Sequence, residues 1–398
     1  MSVQDNNFYL CGLHKNFFMK PILSRYTLFL FLVFAIGCKK NEENTTIAAA
    51  KITNAIRYAK GFELYKYEGY STVKVSNPWP DANKTFTYVL HKKGVAIPDS
   101  LKNYIAVQVP IKNIVVTSTT HIPSLEMLGV ENTLLGFPNT EYISSEKTRK
   151  LIDAGKVKEV GENQLLNTEV LIDLAPDAIV GYSSSSDTKA YDNLEKSGLK
   201  ILFNGDWTEE SPLGKAEWIK FFGALYGLDE KAEQLFSEVE TAYKEASELA
   251  KKLTTRPTVL SGAIYKGQWY MPRGNSWASL FLKDANADYL WADTEGTGSL
   301  SLSFETVLEK AENVDFWVGP AQFTTFKEMT DSNPNYAYFK AFKDKNVYSF
   351  SSKKGKTGGL LYYELAPNRP DLILKDLIKI LHPEILPDYE LYFFEKLK

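Results

Sequence analysis

Two segments of the chain repeat one pattern, and this repeat constrains the fold more than any other feature. NTEVLIDLAPDAIVGY covers residues 167–182, and SFETVLEKAENVDFWVGP covers residues 303–320. In each copy a helix-capping residue precedes a glutamate by two positions, and an apolar helical pattern, a turn and an apolar strand follow. Because a short helix and strand of this kind bury their apolar sides against a sheet, two copies predict two α/β lobes.

The N-terminal residues have the pattern of an export signal. Residues 27–36 form an apolar run of ten residues, whereas a membrane-spanning helix needs about twenty. Lys20 and Arg25 precede this run and Gly37 follows it. A charged segment, a short apolar segment and a small residue predict a signal peptide over residues 1–37. Met19 would give this signal an ordinary length, so translation from Met19 is an alternative to translation from Met1.

The cysteines indicate how the exported protein is held. The segment AIGC, which ends at Cys38, resembles a bacterial lipoprotein signal, in which this cysteine becomes the lipid-modified first residue. An unlipidated signal peptide is the alternative. Cys11 lies upstream of the cleavage point, so the mature chain is predicted to contain no disulfide. Residues 38–50 then form the lipidated cysteine and a tether, on the periplasmic side of a bacterial membrane or at the cell surface.

Composition excludes one large class of partner. The 398 residues carry a formal net charge of −3, which gives no basic field for nucleic acid. Aromatic residues make up 13% of the chain, and we expect some of them to contact a ligand.

The alternation of strand and helix patterns divides the rest of the chain. Alternating apolar and polar residues predict a β-rich N-terminal extension over 51–110, and buried strands alternate with helices in an N-terminal α/β lobe over 111–212. Helical patterns without strands predict bridging helices over 213–254, and a C-terminal α/β lobe follows over 255–398. Within this lobe, residues 258–271 are predicted to form a hairpin, and amphipathic helices are predicted from Asp371 and from Asp388. The predicted fold class is therefore α/β, with two lobes that have mainly parallel central sheets, a long bridging α-helix and a ligand cleft between the lobes.

The order of these segments resembles a known family. IKNIVVTSTTHIPSLEMLG, the two repeated segments and the helical bridge are similar to the helix-linked class of ABC-transporter substrate-binding proteins, over roughly residues 110–398. The resemblance implies a protein that captures an iron–siderophore complex, haem or cobalamin between its lobes and delivers it to a permease of two subunits. It also implies that Glu169 and Glu305 dock against permease arginines. The alternative for either glutamate is stabilisation of its helix through the helix dipole.

Candidate ligand contacts follow from the loops at the carboxyl ends of the strands, where two-lobed α/β proteins bind their ligands. The flat aromatic side chains suit a conjugated ligand, and Arg273 suits an anionic group on it. Trp277 and Tyr363 could equally belong to the core, and His121 to a helix start. The candidates in the first lobe are Thr120, His121, Ser184 and Trp207, and those in the second are Trp269, Tyr270, Arg273, Trp277, Tyr362 and Tyr363.

Two other classes of function find little support. A zinc or manganese site needs clustered ligands, but His91, His121 and His382 are far apart in sequence. No motif pairs a nucleophile with a base, so we expect no catalytic residue, no enzyme activity and no cofactor beyond iron or cobalt carried within the ligand. A surface lipoprotein that stores or hands on the same ligand without a permease is the alternative function.

Overall fold

The computed structural model describes residues 53–163 and 165–398, which belong to one compact unit. The predicted signal peptide, Cys38 and the tether lie outside the described residues. Among the described residues, no helix is both long enough and apolar enough to cross a membrane.

The first four strands form a separate N-terminal sheet. Strands β1, β2 and β3 pair antiparallel in chain order, and β4 joins β3 in parallel. Apolar residues alternate with polar ones, so that Val73 and Val75 are buried whereas Lys74 between them is exposed. The buried face packs against the bridge helices described below. The strands are β1 (Phe62–Lys66), β2 (Tyr70–Ser76), β3 (Thr85–Lys92) and β4 (Ile105–Val109).

The first lobe is built around a parallel five-stranded sheet. Its strand order is β11-β10-β5-β6-β7, and a short antiparallel pair, β8 with β9, lies outside it. The elements are β5 (Ile114–Val116), α1 (His121–Leu128), β6 (Leu134–Phe137), α2 (Glu146–Asp153), β7 (Lys158–Glu159), β8 (Gly161–Glu162), β9 (Leu165–Leu166), α3 (Thr168–Leu174), β10 (Ala178–Gly181), α4 (Lys189–Lys196) and β11 (Ile201–Phe203).

Three helices form the bridge between the lobes: α5 (Pro212–Glu217), α6 (Ile219–Tyr226) and α7 (Asp229–Lys251). The N-terminal half of α7 packs through Phe236 and Val239 into a core shared by the N-terminal sheet and the first lobe. Its C-terminal half packs through Tyr243 and Ala250 into the core of the second lobe. One continuous helix therefore belongs to both cores, as the sequence predicted.

The second lobe contains two sheets. The larger has the order β15-β12-β17-β18-β19, in which only β19 is antiparallel to its neighbour, and the smaller, β13-β14-β16, is antiparallel. The elements are β12 (Thr258–Ser261), β13 (Ala263–Tyr265), β14 (Gln268–Pro272), α8 (Trp277–Asp284), β15 (Asp288–Tyr289), β16 (Ser299–Leu302), α9 (Phe304–Ala311), β17 (Phe316–Val318), α10 (Phe326–Ser332), α11 (Lys340–Lys343), β18 (Val347–Ser349), α12 (Leu361–Leu365), α13 (Pro370–Leu381) and β19 (Glu395–Lys396).

Two predictions for the second lobe were wrong. Residues 258–271 were predicted to form one hairpin. In the structure β12 joins the parallel sheet, and the hairpin consists of β13 and β14. The apolar pattern from Asp388 predicted a helix, which the structure does not contain. Instead, the carboxylate of Asp376 accepts hydrogen bonds from the backbone N–H groups of residues 392–394 and holds them as a loop.

The repeated segments begin their helices in the same way. The side chain of Asn167 accepts a hydrogen bond from the Val170 N–H at 3.1 Å, and that of Ser303 accepts one from the Thr306 N–H at 3.2 Å. Both are therefore N-caps of the expected kind.

Two carboxylates of the bridge region anchor the N-terminal sheet. Glu217 is fully buried and accepts hydrogen bonds from the N–H groups of residues 57–59 at 2.6–3.0 Å, while Lys220 donates to it at 2.8 Å. Glu209 accepts from the N–H groups of Lys60 and Gly61 and from the Trp218 indole. The segment that leads into β1 is thus tied to the bridge through its backbone.

Replacing Glu217 tests this anchor. Glu217→Ala removes the acceptor of three half-buried N–H groups and one charged partner of the buried Lys220, so we expect a loss of about 3–5 kcal/mol in the free energy of unfolding. Glu248→Ala on the exposed side of α7 is the matched control and should change it by less than about 0.5 kcal/mol. Urea unfolding of both variants measures the difference. An equally small loss of stability in Glu217→Ala and Glu248→Ala would show that the fold does not need the hydrogen bonds of Glu217.

Candidate functional site

One cavity of about 800 Å³ is bounded by all parts of the fold. Its volume is within the usual range for small-molecule sites, about 300–1,000 Å³. Its walls are residues 60–61, 76–77 and 79–83 of the N-terminal sheet region, residues 207–210 after the first-lobe sheet, Lys215 of α5, and Trp277, Thr297 and Gly298 of the second lobe.

Trp207 reaches the cavity from the carboxyl end of β11. It lies in a short 3₁₀ turn, Asp206–Thr208, and its indole N–H donates to the Ser183 carbonyl at 3.1 Å. Its ring meets Tyr182 edge-on, with 5.7 Å between ring centroids. These contacts fix the orientation of the indole, so Trp207 offers a preformed aromatic surface.

Trp277 reaches the same cavity from the second lobe. It is the first residue of α8, which Ser276 caps by accepting a hydrogen bond from the Ser279 N–H. Its ring packs edge-on against Phe281 at 5.0 Å. Its indole N–H has no hydrogen-bond partner within the described part of the chain. The structure therefore brings together two of the predicted ligand contacts, Trp207 and Trp277, one from each lobe.

Lys215 lies between these two tryptophans and was not identified from the sequence. Its Nζ donates to the carbonyls of Asp206 at 3.0 Å and Trp207 at 2.8 Å, and it lies 5.6 Å from the ring centroid of Trp277. Burial lowers the pKa of Lys215 to about 8, although the charges of Asp206 and Glu209 oppose this change. A signal was present, because Lys215 is one of few charged residues in an otherwise apolar helical segment, 212–226.

Two predicted ligand contacts belong instead to the core of the second lobe. Trp269 is fully buried, stacks on Trp317 with 5.2 Å between centroids, and donates to the Ser261 carbonyl. Tyr362 is buried and stacks on Phe350, with 4.2 Å between ring centroids. The alternation of β14 turns Trp269 inward, so we correct the prediction for both residues and do not place them at the cavity.

Thr120 and His121 lie where the lobes meet rather than at the cavity. The Thr120 carbonyl accepts a hydrogen bond from the Asn368 side chain of the second lobe at 2.9 Å. His121 is fully buried beside Phe222, and burial lowers its pKa to about 4, so the ring is neutral at pH 7. His121 is the first residue of α1, but neither of its ring nitrogens has a hydrogen-bond partner within the described residues, and as a ligand contact it stays a prediction.

The remaining predicted contacts do not line the cavity. Ser184, Tyr270 and Tyr363 are exposed, and as ligand contacts they stay predictions. Arg273 donates through Nε to the Ser299 carbonyl at 3.2 Å and through Nη1 to the Glu295 carbonyl at 3.1 Å. It therefore holds the loop that carries Thr297 and Gly298, which do line the cavity.

A second cavity of about 530 Å³ lies beside the direct contact between the lobes. There Glu364 of α12 accepts hydrogen bonds from the N–H groups of Ser144 at 2.6 Å and Ser145 at 2.8 Å in the first lobe. Burial raises the pKa of Glu364 to about 7, and the nearby charge of Glu126 adds to this shift. The contact between the lobes thus depends on a carboxyl group that titrates near neutral pH.

Glu169 and Glu305 occupy equivalent positions in the two lobes. Each is the second residue of its helix, α3 or α9, and each is exposed. Neither forms an ion pair with any residue that the structure describes. Within the same residues, no group of three or more His, Cys, Asp or Glu side chains could hold a metal ion.

Comparisons with known proteins agree with this architecture. The family described as periplasmic binding protein matches residues 114–353. An uncharacterized lipoprotein of Methanocaldococcus jannaschii is 27% identical over 382 residues, which cover 90% of this chain and 89% of the relative. An uncharacterized ABC transporter substrate-binding lipoprotein of Bacillus subtilis is 25% identical over 162 residues, or 40% of this chain and 48% of the relative.

A solved structure shares the fold at low sequence identity. The periplasmic heme binding protein of Pseudomonas aeruginosa is 18% identical, with a TM-score of 0.54, and the match covers 72% of this chain and 98% of that chain. The similarity establishes the two-lobed α/β fold. Because nearly all of that chain is matched by less than three quarters of this one, the present chain contains structure beyond the shared lobes.

The pKa of Glu364 gives a testable dependence on pH. Its ordinary value is 4.5 and its folded value about 7, so the folded state binds the proton more tightly. The stability that this provides is complete below pH 4.5 and is lost as the pH rises through 7. Between pH 5 and pH 8 we expect the free energy of unfolding of wild type to fall by about 2–3 kcal/mol relative to that of Glu364→Gln.

Urea unfolding at the two pH values, with Glu146→Gln in the same cavity wall as the control, measures this loss. A Glu364→Gln variant whose stability follows wild type at both pH values would contradict the assignment.

Proposed function

Because the chain belongs to the periplasmic binding protein family, we propose that it is the lipid-anchored substrate-binding component of an ABC importer. It captures an iron–siderophore complex, haem or cobalamin in the 800 Å³ cavity and delivers this ligand, chemically unchanged, to a permease of two subunits. The observation that carries the proposal is that Trp207 and Trp277, from different lobes, line one cavity.

The two indoles support a ligand with a flat apolar face. Each ring is held by packing or hydrogen bonding in its own lobe, so little side-chain entropy is lost when a ligand binds. A ligand that contacts both rings also links the lobes. The heme binding protein of Pseudomonas aeruginosa, which shares the fold, is named for haem, a ligand of this kind.

Anchoring and transport are supported by sequence. The proposed lipid attachment point, Cys38, follows the apolar run of residues 27–36, and the archaeal and bacterial relatives described above are named lipoproteins. The Bacillus subtilis relative is named as a component of an ABC transporter.

The exposed glutamates are the proposed docking points for the permease. Glu169 and Glu305 present one carboxylate from each lobe, at the same position of a repeated helix. A permease with two related subunits could bind both through arginine side chains, which form strong paired hydrogen bonds with carboxylates.

Charge reversal separates docking from helix stabilisation. Glu169→Arg combined with Glu305→Arg should abolish uptake in cells and leave ligand affinity unchanged, because neither residue lines the cavity. Asp173→Arg with Glu309→Arg makes the same charge change on the same two helices and should leave uptake intact. Normal uptake with a lowered melting temperature in the first variant would support only the helix-dipole role, and storage or hand-off without a permease would then be favoured.

Removal of the tryptophans tests ligand binding. Trp207→Ala and Trp277→Ala should each weaken binding by about 1–3 kcal/mol, because each removes a large preformed contact surface. Tyr265→Ala, which removes an exposed aromatic ring outside the cavity, is the control and should have little effect.

The binding of haemin, cyanocobalamin and ferric chelates can be measured by quenching of tryptophan fluorescence. An absorption spectrum of protein purified from its own cells identifies the natural ligand class. Unchanged affinity for every bound probe in both tryptophan variants would place the site elsewhere.

A further inference from the structure

We propose that the N-terminal sheet is a third wall of the ligand cavity and that this wall selects an uncharged or cationic chelate over a polyanionic one. This inference rests on the proposed function. The loop that joins β2 to β3, residues 77–84, is named here the wall loop, and it acts together with Lys60 and Gly61, which precede β1.

The wall loop is a major part of the cavity surface. Six of the seventeen lining residues belong to the wall loop, three more are Lys60, Gly61 and Ser76, and three come from the second lobe. The family match begins only at residue 114, so this wall lies outside the part of the chain that the family shares. A ligand held between Trp207 and Trp277 therefore meets a surface that the matched lobes do not provide.

Packing fixes the wall loop in place. Trp79 is buried against Phe203 at the end of β11, with 5.1 Å between ring centroids, and the Phe203 N–H donates to the Tyr88 hydroxyl at 2.8 Å. Gly205 allows Pro78 to approach, because a Cβ at Gly205 would lie 2.9 Å from the Pro78 Cα. These contacts hold the start of the wall loop against the end of β11, where the loop forms one side of the cavity.

The charges of the lining argue against a polyanion. Two lysines and three acids line the cavity, which gives a net charge of −1 when all are ionised. Both lysines already have partners: Lys215 donates to two carbonyls, and Lys60 Nζ lies 3.6 Å from Glu210 Oε2. Arg273, the residue expected to meet an anionic group, donates to carbonyls of its own lobe and does not line the cavity.

The exposed side chains of the wall loop suit a ligand with amide, hydroxyl or amine groups. Asn77, Asp81 and Asn83 are exposed and line the cavity. Amides donate and accept hydrogen bonds, whereas an ionised aspartate only accepts them. A chelate with neutral or cationic groups can satisfy this set, but a ferric tris-catecholate, with a charge of −3, is repelled by Asp81.

Charge changes at Asp81 test the wall. The probes are cyanocobalamin, a neutral ferric trihydroxamate, haemin and a ferric tris-catecholate, and dissociation constants are measured by fluorescence quenching. Wild type should bind one of the first two at least tenfold more tightly than the tris-catecholate. Asp81→Lys should reduce this ratio at least tenfold, and Asp81→Asn, which also tolerates the positive φ of 57° at this position, should reduce it in the same direction.

Asp99→Lys is the matched control, since Asp99 is an exposed acid of the same region outside the cavity, and it should leave the ratio within twofold. If wild type binds a probe but both Asp81 variants keep the wild-type ratio, or if the tris-catecholate or haemin, which carries two carboxylates, binds most tightly, the wall proposal is overturned while the proposed function stands. If wild type binds none of the four probes, the proposed function fails and the wall proposal fails with it.

Discussion

The rest of the structure depends on two buried carboxylates, Glu217 and Glu209, that hold the backbone of residues 57–61. Together they accept hydrogen bonds from five consecutive N–H groups, and each lies in or beside the apolar bridge. A carboxylate in such a site is costly unless it is fully hydrogen-bonded, and these backbone donors meet that need. The consequence is that the N-terminal sheet cannot move independently of the bridge. The wall loop of this sheet, held by the contact of Trp79 with Phe203, lines the cavity between the lobes.

The bridge and the lobe contacts limit motion in a similar way. Helix α7 is continuous over 23 residues and packs into both cores, so a wide hinge movement would have to break its backbone hydrogen bonds or its packing. Glu364 and Asn368 add direct hydrogen bonds from the second lobe to the first. The proposed capture of a ligand in such a frame would use preformed surfaces, in particular the indoles of Trp207 and Trp277. Only small adjustments between the lobes would then be needed, and the proposed docking residues, Glu169 and Glu305, would keep a nearly constant separation.

Local sequence patterns predicted the parts of this account that depend on nearby residues. The repeated N-caps Asn167 and Ser303, the long helix, and the position of Trp207 after a strand all follow from short-range periodicity. The errors have physical reasons that lie far away in sequence. Trp269 and Tyr270 are adjacent in a strand, and Trp269 is the buried one because aromatic residues distant in sequence, Trp317, Tyr336 and Phe339, pack around it. The helix expected from Asp388 is replaced by a loop, because the N–H groups of residues 392–394 donate to the carboxylate of Asp376. The contact of Trp79 with Phe203 joins residues 124 positions apart, so no pattern within the N-terminal sheet could reveal that it reaches the cavity.

Hydrogen–deuterium exchange tests the central claim, a cavity with three fixed walls, most directly. The protein would be isolated from its own cells with its natural ligand and compared with the same protein after the ligand is removed. The account predicts slower exchange with ligand in three separate segments: the wall loop, residues 206–210, and residues 276–279 at the start of α8. It also predicts little change along α7, because the helix stays intact in both states. Protection confined to the two lobes, with unchanged exchange throughout the wall loop, would contradict it.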